Sequence, residues 1–503
     1  MKNITKCLLL IFFLIFFAFK SSSVYLFAQS QQPSFEPLFS PSQILNQNIG
    51  QTPYTSYTAN QVFEIALLFS ECQKESQIWE DCWKKFADIK EALSTEEIMS
   101  LSEEERGREI LKYLYQNYLK KYSLNQTKLD IALETGFYNC VSSALLYMAA
   151  AKAAGLDVRG QRTSHHAFCS IYIPYETGDK SGQLKKIDVE TTNPYGFNPG
   201  SKEEIEYSNQ IKEYYIVPKR FYSNRTEVSD GIFTGLIAGN LTSEYIKTGN
   251  YIKALPLGAA RWETVKSEPA VSTSYVRNEF DILAANYINL IPDSAQAYSE
   301  KLDWFSDFID RWGTTNFLQK NLDSSFLNLL VLCNKENNTL TASLAWEKYR
   351  NKISTSQTTK AEEILTDIII LSATDNLPPE EKISVVNQLL KEELLSSPVC
   401  QKRSRIHLEN FWLFVLNPLM NSHEFEKGYE KASIALTQLP DSPKMKTMHK
   451  NFYNNMIASI HNSFAKQLNA GNYEQALSIL QSGLEKFPDD KILKKDLINL
   501  LQL

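Results

Sequence analysis

Cysteine and histidine are scarce in this chain, seven and six among 503 residues. No CxxC occurs, nor a Cys/His pair at metal-ligand spacing, which argues against a zinc site and leaves no motif for a metal or organic cofactor. Lys/Arg clusters are missing too, and the net charge of −6 gives none of the basic footprint of a nucleic-acid binder. The one long apolar run, Leu8–Phe19, holds about twelve residues, whereas crossing a bilayer takes about 20. No cysteine follows that run closely enough to carry a lipid.

What is present begins with export. Lys2 and Lys6 precede the apolar run and Lys20 and Ser21–Ser23 follow it, the pattern of a secretory signal over residues 1–28 with cleavage after Ala28. The rival reading is an uncleaved anchor that uses Val24–Ala28 as extra length, the only contact with a membrane that the chain offers. Either way the body is expected outside the cytoplasm, periplasmic or extracellular. Export permits disulfides among the six cysteines that remain, Cys72 with Cys82 being the local pair. Residues 29–55, rich in Gln, Ser and Pro, read as a flexible linker.

A hydrophobic fraction of 43% and 22% charged residues are ordinary for globular protein, and the length allows two or three domains. Helical spacing puts Val62, Ile65, Ala66 and Phe69 on one face, and Ser94 and Ser102, each followed three residues on by Glu, read as capping boxes. An Ala-rich amphipathic helix is expected over Val141–Ala154, closed by Gly155. Ala167–Ile173 and Leu184–Thr191 read as strands joined by a turn over Pro174–Asp179, with one more short strand at Tyr214–Val217. Beyond Asp230 the pattern is helical to the end. Gly471-Asn472-Tyr473 with Ala476, Phe487, Pro488 and Asp489 resembles a tetratricopeptide repeat, and weaker copies begin near Gly249 and Phe425. A non-repetitive helical domain is the other reading of that half.

The chemistry concentrates between Gly136 and Phe197. Cys140 stands at a helix start, where free N–H groups and the positive dipole end favour a thiolate, and its own N–H could serve an oxyanion. His165 and His166 stand at the head of the next strand, within reach of such a thiol as general base. Alternation puts His165 with the more apolar face, so His166 is preferred. Asp188 lies on the following strand, where a carboxylate would hold the imidazole in the right tautomer; Glu190, on the same face, is the substitute.

Gly136-Phe137-Tyr138-Asn139-Cys140-Val141-Ser142-Ser143, His166-Ala167-Phe168 and Asp188-Val189-Glu190-Thr191-Thr192 together resemble the transglutaminase-like branch of the papain superfamily, over about residues 60–220. The resemblance implies an α+β fold: a papain/transglutaminase-like core with a small antiparallel sheet over residues 56–228, followed by an all-α tetratricopeptide-like domain over 229–503. It implies Cys140 as nucleophile, His166 as base and Asp188 as orienting acid. Glu134 and Thr135 stand where papain-like proteases place an oxyanion Gln, so Tyr138 and Asn139 become the oxyanion candidates. His165, Glu190, Tyr195 and Phe197 would line the substrate pocket, although Tyr195 and Phe197 could equally pack the domain.

The implied activity is hydrolysis or acyl transfer on protein or peptide amides, with no cofactor; the expected export points to cell-wall peptide as one such substrate, and the repeats are expected to bind a protein partner. The alternative is a scaffold without turnover that binds partners through its repeats. A third reading makes Cys140 a half-cystine with Cys169.

Overall fold

The computed structural model describes residues 33–45, 56–175, 183–199, 224–292 and 294–502. The signal over 1–28, most of the linker, the 176–182 part of the hairpin connection and the strand expected at Tyr214–Val217 lie outside the described residues. The chain divides into two compact units, Met1–Tyr287 and Ile288–Leu503. It is mostly helical with a small amount of sheet.

The first unit opens with helices α1 (Pro41–Leu45), α2 (Ala59–Phe69), α3 (Gln77–Leu93), α4 (Glu96–Met99) and α5 (Glu103–Asn117). The Ser102/Glu105 capping box forms as expected. Ser94 instead closes α3, and Thr95 caps α4. A two-residue strand β1 (Lys121–Tyr122) pairs in parallel with β2 (Phe137–Tyr138) across α6 (Leu129–Thr135).

Helix α7 (Cys140–Ala153) follows at once. Asn139 is its N-cap, the Asn139 Oδ1 accepting from the N–H groups of Val141 and Ser142 while Ser142 Oγ accepts from the Asn139 N–H. Such a cap fixes the first turn. Rather than being amphipathic, α7 is buried on every side from Val141 to Ala151. It is the central helix, which is why its sequence is Ala-rich and shows no polar stripe.

A four-stranded antiparallel sheet lies against it in the order β5 (Leu184–Val189), β4 (Ala167–Pro174), β3 (Asp157–Arg162) and β6 (Thr226–Val228). Odd-numbered residues of β4 face α7: Cys169 Sγ donates to the Ala144 carbonyl at 3.3 Å. The opposite face carries a polar layer of Ser170, Tyr172, Asp188, Arg225 and Glu227.

Helices α8 (Asp230–Thr234), α9 (Leu236–Lys247), α10 (Tyr251–Val265) and α11 (Ala270–Ile288) come next. Most of this stretch belongs to the first unit, so the division falls later than the boundary at 228 expected from the sequence. The reason is packing. Phe233 sits so close over Gly160 that a Cβ there would lie 2.4 Å from its ring. Asp230 pairs with Lys152 of α7 at 2.8 Å in a buried setting and also accepts from the Tyr57 N–H. The weak repeat copy at Gly249 is therefore part of this unit.

The second unit is helical: α12 (Ala295–Trp312), α13 (Asn316–Lys335), α14 (Thr339–Tyr349), α15 (Thr355–Ala373), α16 (Pro379–Leu389), α17 (Pro398–Asn421), α18 (Phe425–Gln438), α19 (Pro443–Asn469), α20 (Tyr473–Lys486) and α21 (Lys491–Leu501). The two later repeat copies fall on α18 and α20, each flanking α19. Small residues make those crossings close. A Cβ on Gly428 would lie 2.0 Å from Phe452, and one on Gly483 would lie 2.9 Å from Ile460.

Candidate active site

Cys140 is the first residue of α7, so the cap that orders Val141 and Ser142 also sets where the thiol points. His166 sits one residue before β4, at the same end of the sheet. Its Nε2 lies 2.6 Å from Oε2 of Glu190, and its ring also hydrogen-bonds Cys140. With Nε2 held by the carboxylate, Nδ1 is the nitrogen that serves the thiol. Both partners are sheltered, their side chains 8% and 3% exposed. Burial alone would lower the His166 pKa, but the hydrogen bonds to Cys140 and Glu190 outweigh it and raise the value to about 10.

The orienting acid expected at Asp188 is corrected by the strand register. Ser170 pairs with Asp188 across β4 and β5. That places Asp188 four residues along the strand from His166, about 13 Å at the usual rise. Asp188 instead accepts from Ser170 Oγ at 2.7 Å and pairs with Arg225. Glu190, one step nearer on the same face, reaches the imidazole.

Glu190 is held from several directions. Its Oε1 accepts from the Thr192 N–H at 3.2 Å and the Thr192 hydroxyl at 2.7 Å. Its own N–H donates to the Gly196 carbonyl at 2.7 Å. Glycine is required in that turn, because a Cβ on residue 196 would lie 2.0 Å from the Glu190 carbonyl oxygen.

A hydroxyl chain ties this turn to the thiol helix. Tyr115 Oη donates to the Thr191 carbonyl at 3.0 Å and so accepts from Tyr138 Oη, also at 3.0 Å. Ser143 Oγ donates to the Asn139 carbonyl and accepts from Thr191 Oγ1. Tyr115, Thr191 and Thr192 were not among the expected site residues. Tyr115 lies in α5, and its role comes from a turn far along the chain.

The two oxyanion candidates are occupied with other work. Tyr138 is buried with its proton on Tyr115, and Asn139 spends its amide on the helix cap and on the Leu124 carbonyl. Of the expected pocket residues, His165 is exposed and Tyr195 half-buried, its N–H bonded to Asn193 Oδ1. Phe197 is corrected from pocket wall to core: it is 1% exposed and packs where a Cβ on Gly107 would strike it. All six described cysteines are free thiols, including the Cys72–Cys82 and Cys140–Cys169 pairs that export would permit to bond. Burial pushes the Cys169 thiol well up.

No protein-family model matches this chain, and no curated protein does. A solved structure of menin, described as revealing the binding site for Mixed Lineage Leukemia (MLL) protein, is similar over 85% of this chain and 98% of that one. The identity is 13% and the TM-score 0.27, too low to carry any argument about fold or function.

Proposed function

We propose that this protein is a thiol-dependent hydrolase or acyltransferase of transglutaminase-like type, acting on protein or peptide amides outside the cytoplasm. The observation that carries the reading is the placement of one buried imidazole between a helix-start thiol and a buried carboxylate. In the mechanism, the Cys140 thiolate attacks the amide carbonyl while His166, charged and held by Glu190, gives its proton to the leaving amine. The main-chain N–H of Cys140, at the first helical position with no earlier helical carbonyl to meet it, is the donor suited to the oxyanion. Water or an amine then resolves the acyl-enzyme, with His166 taking the incoming proton. The helical unit serves as a surface for a protein partner.

The test is alkylation by iodoacetamide between pH 5 and pH 9, with mass-spectrometric counting at every cysteine. Cys140 labelling at pH 6 faster than free N-acetylcysteine, and slowed in His166→Ala, supports a thiolate–imidazolium pair. A Cys140 that labels no faster than N-acetylcysteine and ignores the loss of His166 overturns the enzyme reading.

A further inference from the structure

Beside the thiol, strand β1 and the turn that follows it carry two large side chains, Tyr122 and Leu124, that the described residues leave uncovered. Tyr122 is 43% exposed and Leu124 is 74% exposed. Neither rides on slack chain. The register pairs Tyr122 with Tyr138, two residues before Cys140, and their rings meet edge-on at 6.0 Å. Tyr138 is buried and tied to Tyr115, so the exposed ring stands on a fixed base. Leu124 is held through its main chain, its carbonyl accepting from Asn139 Nδ2 at 3.2 Å. Asn139 caps the helix that Cys140 begins, so the backbone that places the thiol also places both apolar groups. Phe137, the β1/β2 ribbon's other exposed aromatic, pairs in register with Lys121, whose ammonium lies 5.8 Å from its ring. Alternation turns it to the other side of the ribbon.

Scattered exposed apolar residues are ordinary on protein surfaces. Two of them anchored at a nucleophile's doorstep are different, because a substrate side chain arriving there loses water against a surface that needs no rearrangement. The ledge is also neutral: burial and the nearby Cys140 and Glu190 push the Tyr122 phenol up to about 12. We infer that Tyr122 and Leu124 form a subsite for a large apolar side chain beside the amide that Cys140 attacks. The substrate class is then peptides with an aromatic or aliphatic residue next to the reacting amide, in preference to a charged one. This inference rests on the thiol reading above and narrows it.

The experiment compares Cys140 alkylation in the full chain by iodoacetamide and by N-benzyl-2-iodoacetamide. The ratio of the two rates is referred to the same ratio for N-acetylcysteine. A filled apolar subsite raises the Cys140 ratio roughly tenfold over the free thiol. Tyr122→Ser and Leu124→Ser, both at exposed positions, should each lower it several-fold. A ratio equal to that of N-acetylcysteine, or one untouched by both substitutions, overturns the subsite while leaving fast iodoacetamide labelling in place. Slow labelling by both reagents overturns the thiol reading itself, and the subsite with it.

Discussion

The carboxylate of Glu190 meets the imidazole of His166 at 2.6 Å, while Asp188, two residues earlier on the same strand face, is turned to Ser170 and Arg225. Glu190→Gln keeps the shape but removes the charge that supports an imidazolium. Alkylation of Cys140 at pH 6 should fall about tenfold or more. Asp188→Asn, breaking a partly exposed ion pair, should leave that rate within about threefold and cost under about 1 kcal/mol of stability. The two rates, measured side by side, separate the residues; equal losses would restore Asp188 to the site.

His166 sets a pH window. Its pKa in the folded chain is raised from 6.5 to about 10 by Cys140 and Glu190 acting against burial. A group raised on folding contributes stability that is fully present below its unfolded value near 6.5 and is lost as pH rises through about 10. Amide turnover that needs the imidazolium as acid should fall over the same alkaline range. Titration of the His166 ring by NMR should show the high value, moving down by about 1 pH unit or more in Glu190→Gln.

Gly196 is the residue on which Glu190 leans. Its missing Cβ would occupy space 2.0 Å from the Glu190 carbonyl oxygen, which is backbone and cannot swing aside. Gly196→Ala should destabilise the protein by about 1–3 kcal/mol and slow Cys140 labelling as well, because the turn that aims the carboxylate must open. Thermal unfolding and alkylation read the two effects; a stable variant with unchanged labelling would show the turn to be indifferent.

In the second unit, Gly428 and Gly483 look alike in sequence and differ in space. A Cβ at 428 meets the Phe452 ring at 2.0 Å, whereas one at 483 comes no nearer than 2.9 Å to the Cγ2 methyl of Ile460, so it demands the smaller shift. Gly428→Ala should cost about 1–3 kcal/mol and Gly483→Ala less, in denaturant unfolding of the full chain.

The parts of the site that the sequence made legible are those signalled locally. A cysteine after Asn139 and before an Ala-rich run marks a capped helix, and two adjacent histidines before an apolar stretch mark a strand head. Glu190 over Asp188 was not decidable, because the choice depends on pairing Ser170 with Asp188 and on a glycine six residues on. Strand β3 was missed for a related reason. Arg159 and Gln161 reach Glu227 in the sheet's polar layer while Val158 and Gly160 face inward, so its residues show no simple apolar alternation. The long reach of the first unit to Tyr287 was hidden because helices that cover a core and helices that form an array share one period.

The ion pair between Lys152 and Asp230 has a practical consequence for anyone who would cut this protein. A fragment ending at residue 228 keeps the thiol, the imidazole and the carboxylate, yet it strips the counter-ion from a largely buried lysine in the helix that Cys140 begins. An orphaned charge of that kind costs about 3–5 kcal/mol, enough to unfold many isolated domains. The smallest piece that can carry the chemistry must therefore extend past Asp230 into the helices that look, in sequence, like someone else's domain.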